Sequence, residues 1–201
     1  MENEFLTKID PNVSLDSSQF TERQSAGYAV EQYRIRHDYQ PITDNTYTGC
    51  FDAQTVDGIP VQIKGKKCGN LTSRSAVEMG SIHRLHKTQD FLLDVTSYTS
   101  KLGSVSLKTR FLAYISAELW NQVIPADELH AFFDYSRVFD GISCSHSDDA
   151  RWSERRKALK REYKQKYPNC PVRPLFKRDH HGQKRIQFAI TIADLTKLAK
   201  K

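Results

Sequence analysis

Within residues 51 to 67, FDAQTVDGIPVQIKGKK, three side chains have the types that hydrolysis beside a metal ion requires: Asp52, Gln62 and Lys64. A hard divalent ion such as Mg2+ takes oxygen ligands, commonly one or two from protein carboxylates and the rest from water and phosphate. The Asp52 carboxylate and the Gln62 amide oxygen are ligands of that kind, and the backbone carbonyl of Ile63 lies between Gln62 and Lys64 as a third. The Lys64 ammonium beside such an ion would orient water and stabilise negative charge developing at a phosphate.

These groups meet only if the two segments pair as a hairpin in one register. A two-residue turn at Asp57-Gly58 sets Asp52 opposite Ile63 and mixes polar with apolar residues on both faces. A three-residue loop, Val56-Asp57-Gly58 with Gly58 left-handed, sets Thr55 against Ile59 and Asp52 against Gln62. One face then carries Phe51, Ala53, Thr55, Ile59, Val61 and Ile63. The other carries Cys50, Asp52, Gln54, Pro60, Gln62 and Lys64. A slip of one residue destroys this sorting, so the pattern selects the longer loop. Opposed side chains on one face have Cβ atoms about 5 Å apart, close enough for Asp52 and Gln62 to share an ion. Glu31 joins them if the preceding helix packs across the open end of the hairpin.

The elements needed to position these residues follow from the sequence pattern. Residues 1 to 20 read as an irregular lead. A helix is predicted from about Thr21, capped by Thr21 with Gln24 three residues on, and its apolar stripe is Ala26, Ala29, Val30 and Tyr33. Gly27 in that helix allows close packing on a sheet. Strands are predicted at 47 to 55 and 59 to 65, a helix at 73 to 87, and a buried strand in DFLLDVTSY at 90 to 98. SVSLKTRFLAYISAELWNQV begins as strand and turns helical at a boundary the pattern leaves open. Pro125 suits a first helical position, and DGISCSHSDD is a loop whose aspartates start a basic helix near 150 to 167. Residues 173 to 191 read as a hairpin turning at His181-Gly182, followed by a terminal helical turn. The predicted class is α/β, with a mixed central sheet flanked by helices and a basic C-terminal helix and hairpin.

Charge divides the chain unevenly. Residues 151 to 201 hold 16 Lys or Arg against 4 Asp or Glu, a formal +12, while the whole 201-residue chain is +6. Residues 1 to 150 therefore sum to −6. Positive charge concentrated in this way points to a phosphate backbone as partner. A solvated cationic helix is the plainer alternative. An anionic membrane is disfavoured by the thin apolar stripe of RWSERRKALKREYKQKYPN. The 38% hydrophobic content is that of a globular protein, and no run approaches the roughly 18 apolar residues of a bilayer span. The acidic N-terminus and four widely spaced cysteines without a CxxC pair predict a cytoplasmic protein with reduced thiols.

An acid, nine residues, then Gln62-Ile63-Lys64, preceded by a helical glutamate, resembles the PD-(D/E)xK nuclease superfamily, with type II restriction endonucleases as the branch that suits so short a chain. The resemblance covers residues 21 to about 98. It implies that Asp52 is the first acidic ligand, Gln62 takes the second acidic position, Lys64 is the motif lysine and Glu31 is the helix glutamate. Phe51 stands where the family name has proline, and Gln62 replaces an acid. The resemblance implies a single nuclease domain with a catalytic core at 21 to 98, Mg2+ as cofactor, double-stranded DNA as substrate, 5′-phosphate ends and a homodimer. DNA contacts are expected from Lys66, Lys67, Thr72, Ser73 and Arg74, and from Arg173, Lys177, Arg178, Lys184 and Arg185 in the basic portion at 150 to 201. The helix at 155 to 166 is expected to hold phosphates.

Rival constellations are weaker. Asp179, His180 and His181 suggest part of an HNH-type site, but the later histidine and asparagine are missing. Cys144, His146, Asp148 and Asp149 lack zinc-site spacing, and His83 and His86 fit packing or a DNA-facing role. No Walker loop is present, which argues against an ATP-driven motor. The alternatives to a restriction enzyme are a repair or resolvase-type nuclease and a noncatalytic DNA-binding protein with a degenerate nuclease core.

Overall fold

A computed structural model describes residues 4–9, 14–16, 23–42, 51–101, 104–178 and 184–200. The strands are β1 (Glu4–Lys8), β2 (Ser14–Asp16), β3 (Ala53–Gln54), β4 (Pro60–Lys67), β5 (Ala76–Ser81), β6 (Phe91–Lys101), β7 (Ser104–Ile115), β8 (Arg173–Arg178) and β9 (Lys184–Thr191). The helices are α1 (Arg23–Asp38), α2 (Ala117–Val123), α3 (Ala126–Phe132), α4 (Tyr135–Phe139), α5 (Asp149–Lys166) and α6 (Ile192–Lys197). The chain forms two compact units. One comprises Met1–Val77, Thr88–Trp120 and Thr191–Lys201, and the other Glu78–Lys87 and Asn121–Ile190.

The first unit is built on a mixed sheet flanked by helices, as the pattern predicts. Its strand order is β1-β7-β6-β4-β3, with β2 also on β7. Among the described residues of this sheet, β4 and β6 pair parallel and the other pairs are antiparallel. β6 lies between β4 and β7 and is buried from Phe91 to Tyr98, polar Asp94, Thr96 and Ser97 included. The predicted stripe of α1 packs as expected: Ala26, Ala29 and Val30 are buried, and Tyr33 is partly buried beside Tyr98, Val105 and Leu107. A Cβ on Gly65 would sit 3.1 Å from both Cα and O of Gly27, so these two glycines let the helix lie directly on β4. At the end of the chain, Leu198 accepts the Ser116 N–H at 3.1 Å and Lys200 donates to the Tyr114 carbonyl at 2.7 Å. Ser116 is thus the boundary between β7 and α2 that periodicity left open.

Two expectations are corrected. The N-terminal lead is not all irregular, since β1 and β2 pair antiparallel with β7. β7 presents an otherwise open row of backbone donors and acceptors, and these short segments occupy it. The predicted helix at 73 to 87 is instead strand β5 followed by a single 3-10 turn at Ile82–Arg84. Ala, Glu and Met favour helix, but Val77 and Met79 are buried while Glu78 is exposed, which is a two-residue period, and Gly80 takes φ +123°. Pairing in the second sheet outweighs local propensity there. The Thr21 cap, the first part of the strand predicted from 47, and the His181-Gly182 turn lie outside the described residues, as do Cys50, Asp179 and His180.

The second unit holds the three-stranded sheet β5-β9-β8 and the helices α3, α4 and α5. β8 and β9 form the predicted antiparallel hairpin, from Arg173↔Ala189 to Arg178↔Lys184. Pro125 directly precedes α3. The basic helix α5 turns Trp152, Leu159 and Tyr163 inward, where Tyr163 rings against Phe133 at 5.3 Å and its hydroxyl donates to the Val172 carbonyl at 2.6 Å. Among the described residues, no helix is long and apolar enough to cross a membrane.

Candidate active site

The hairpin forms in the register that the three-residue loop demands. Ala53 pairs with Val61 and Gln54 with Pro60. The Thr55 N–H donates to Ile59 at 2.8 Å, and Gly58 takes φ +78°. Ala53, Val61, Ile63 and Leu92 make one buried cluster, joined by Ile35 and Tyr39 from α1 and the residue after it.

At Asp52 the ladder departs from the expected alternation. Residues of an antiparallel strand alternate in pointing their N–H toward and away from the partner. Thr55 points toward β4, so an unbroken ladder would point the Asp52 N–H away from it. Instead that N–H donates to the Val61 carbonyl at 2.9 Å, a local distortion of the kind that re-aims side chains at strand ends. The Asp52 carboxylate consequently turns back over β4. Its Oδ2 accepts the Ile63 N–H at 2.7 Å and lies 3.4 Å from Lys64 Nζ. Phe51, expected to share a face with Ala53, instead packs tilted against Phe91 with ring centroids 5.6 Å apart, and it is Leu92, the next residue of β6, that belongs to the Ala53 cluster.

Asp52 therefore bonds to both residues flanking Gln62. Gln62 itself is 5% exposed. The N–H and C=O of one strand residue project to the same side, so the Ile63 carbonyl faces the edge where Asp52 sits. Glu31, on the helix above, is half-buried. Burial pushes its carboxyl above the usual range, the Asp52 charge pushes it further, and the Lys64 charge pulls it back. Three of the four predicted catalytic residues, Glu31, Asp52 and Lys64, are thus in mutual electrostatic reach, with Gln62 bracketed by the bonds of Asp52.

This donor set fits a hard cation. It consists of oxygens, and a divalent ion would offset the Asp52 charge that disfavours ionisation of Glu31. No group of three or more His, Cys, Asp or Glu able to hold a metal occurs among the described residues, so any ion here would rest on two carboxylates, an amide and a carbonyl.

Glu31 also gives a pH signature. Its raised pKa means the folded chain holds that proton more tightly than the unfolded chain does. Stability is therefore lost as pH rises from the ordinary carboxylate range through the raised value. In EDTA, Glu31→Gln is expected to melt above the parent at pH 8, with the gain vanishing near pH 4. An equal difference at both pH values, read by thermal melts, would contradict this account.

The arrangement also depends on a buried network that motif reading missed. Asp94 on β6 is 0% exposed. It accepts from Arg110 Nη2 at 2.6 Å and from the Tyr39 hydroxyl at 2.8 Å. Arg110 also reaches Asp38 at 3.1 Å, and Arg34 joins Asp38 at 2.8 Å and Thr96 at 3.0 Å. Burial and the Asp94 charge together push the Tyr39 hydroxyl far up. These bonds bolt the last turns of α1 to β6 and β7, and Glu31 lies on the same helix one turn before Arg34 and Ile35. The only signal in the sequence was a lone acid inside FLLDVTSY. Its partners lie 16 and 55 residues away, beyond what local pattern can name.

The residues expected to touch DNA fall into two groups. In the first unit, Lys67, Ser73 and Arg74 are exposed and Lys66 is half-buried, with the Ser73 carbonyl accepting the Ala193 N–H. In the second unit, Arg173 and Arg185 are exposed and Lys184 lies over the Phe139 ring at 6.0 Å. Lys177 pairs with Glu78 at 2.6 Å. Arg178 does not present its charge outward: its side chain is 6% exposed, ion-paired with Asp149, bonded to the Ser143 carbonyl at 3.0 Å and set over Trp152.

Neither a protein-family model nor a curated protein nor a solved structure matches the chain.

Proposed function

We propose that this protein is a divalent-metal-dependent DNA endonuclease of the type II restriction kind, with a restriction-endonuclease-like core, hydrolysing phosphodiester bonds in double-stranded DNA to leave 5′-phosphates. The observation that carries the reading is the convergence of Glu31, Asp52 and Lys64 where β3 begins against β4. Asp52, the Ile63 carbonyl, Gln62 and Glu31 would hold Mg2+. When bound, the ion would activate water and neutralise charge at the scissile phosphate. Lys64 orients the attacking water and donates to the oxygen on which charge develops. Ile63 fixes the Asp52 carboxylate through its N–H, so that this ligand is in place before substrate arrives. The restriction resemblance implies a homodimer acting on palindromic sites.

One observation supports a second reading. The Asp52–Ile63 bond closes the strand end, a role that a noncatalytic DNA-binding protein with a degenerate core would also need. Incubation of supercoiled and linear DNA with and without Mg2+ separates the two. Discrete linear fragments are expected, appearing only with the ion. A smear would indicate an unselective nuclease of repair or resolvase type, and binding without cleavage under any divalent ion would leave the noncatalytic reading.

A further inference from the structure

We propose that the outer face of α5, with the cavity between it and the turn at 140 to 142, is where this protein holds a nucleic-acid phosphate backbone. The inference rests on the proposed nuclease reading only for its choice of duplex DNA as the polymer. α5 carries eight Lys or Arg against three acids. Two of those acids are neutralised from outside the helix, Asp149 by Arg178 and Glu162 by Arg137 at 2.7 Å. Among the described residues, the side chains of Lys157, Lys160, Arg161 and Lys164 make no ion pair or hydrogen bond, so no carboxylate is bound to them. The β8–β9 hairpin differs in this respect, because Lys177 and Arg178 are both engaged inside the unit.

The cavity gives this charge a shape. It is an open cleft of about 660 Å³, lined by Arg151, Arg155, Lys157 and Arg161 together with Asp140, Glu154, Ile142 and Ala158. Two of its guanidiniums are already oriented: Arg151 donates to the Gly141 carbonyl at 2.6 Å and Arg155 to the Arg137 carbonyl at 2.5 Å. A neutral carbonyl fixes a guanidinium without cancelling its charge, and each retains donors from its five N–H groups for phosphate oxygens. Gly141 takes φ +59°, and a Cβ there would meet Arg151 at 3.1 Å, so the turn is shaped to admit that side chain. Arg151 to Arg161 spans about 15 Å of helix, the length of about four nucleotides along one strand. A lipid surface fits less well. The large apolar residues of α5, Trp152, Leu159 and Tyr163, are buried, leaving none on the cationic face to insert among acyl chains.

The test uses the full chain in EDTA and a fluorescent DNA duplex, with anisotropy read across a salt series. Among the described residues, the Lys157 and Arg161 side chains make no hydrogen bond or ion pair, so Lys157→Ala/Arg161→Ala should melt with the parent. It is expected to bind at least about tenfold more weakly at low salt and to lower the slope of log K against log salt by about 2. A double variant that binds with the parental affinity and slope overturns the proposal. So does a parent that binds phosphatidylserine vesicles but no duplex. DNA cleavage by a double variant with parental binding would sink this surface and leave the nuclease reading standing. Binding that depends on α5, in a parent that never cuts, would do the reverse.

Discussion

Lys64→Ala is expected to lower Mg2+-dependent DNA cleavage by about a hundredfold to a thousandfold, the loss typical of removing one donor aimed at developing charge. The fold should survive the change. The Lys64 and Asp52 side chains are 25% and 24% exposed, and a pair so open to solvent contributes at most about 1 kcal/mol. Asp52 also keeps its bond to the Ile63 N–H when the ammonium is gone. Single-turnover cleavage, duplex binding in EDTA and a thermal melt on the same preparation separate the possibilities. Loss of cleavage with near-parental binding and melting places Lys64 in the chemistry. Cleavage at the parental rate removes it from the mechanism, and a collapsed melt would make its role structural.

Arg110→Met should be the most destabilising of the changes considered, by about 3–5 kcal/mol, the range for removing one partner of a buried ion pair. Asp94 is fully buried, and Arg110 supplies its charge partner at 2.6 Å. Without the guanidinium, Asp94 retains hydrogen bonds from Tyr39 and Thr96 but no cation, and Asp38 on α1 loses one of its two cationic contacts. Replacing both buried partners, as Asp94→Leu/Arg110→Met, should recover much of the loss, because the penalty comes from the stranded charge. Urea unfolding of parent, single and double variants closes the cycle. A single variant losing less than about 1 kcal/mol would show that Asp94 is compensated in some other way. Because the network fixes α1, and with it Glu31, cleavage by Arg110→Met should fall even at temperatures where the variant remains folded.

The basic face of the second unit is distributed differently from its sequence. Read linearly, the cations of the hairpin and of the helix before it look equivalent. In the fold, Arg178 crosses to Asp149 and Trp152 and becomes a packing residue, while α5 keeps a row of cations without partners. Charge counted along a chain sums over both kinds. Only pairing across 29 residues, as between Arg178 and Asp149, tells them apart.

The hairpin register was legible in the sequence because one face of β3 and β4 is apolar, and any slip would have placed Val61 and Ile63 among polar residues. The stripe of α1, the burial of β6 and the span of α5 were legible for the same reason: a local period records which side of an element meets the core. The distortion at Asp52, the strand at 76 to 81 and the Asp94–Arg110–Tyr39 network were not. Each is decided by partners distant in sequence, through a carbonyl, a sheet edge or a counter-charge that no local period encodes. The sequence by itself singled out Glu31, Asp52, Gln62 and Lys64 as candidates for the proposed chemistry. The tertiary structure decided that the Asp52 carboxylate turns back over β4 to Ile63 and Lys64, because a strand leaving its ladder must satisfy the groups it exposes, and here a side chain does so.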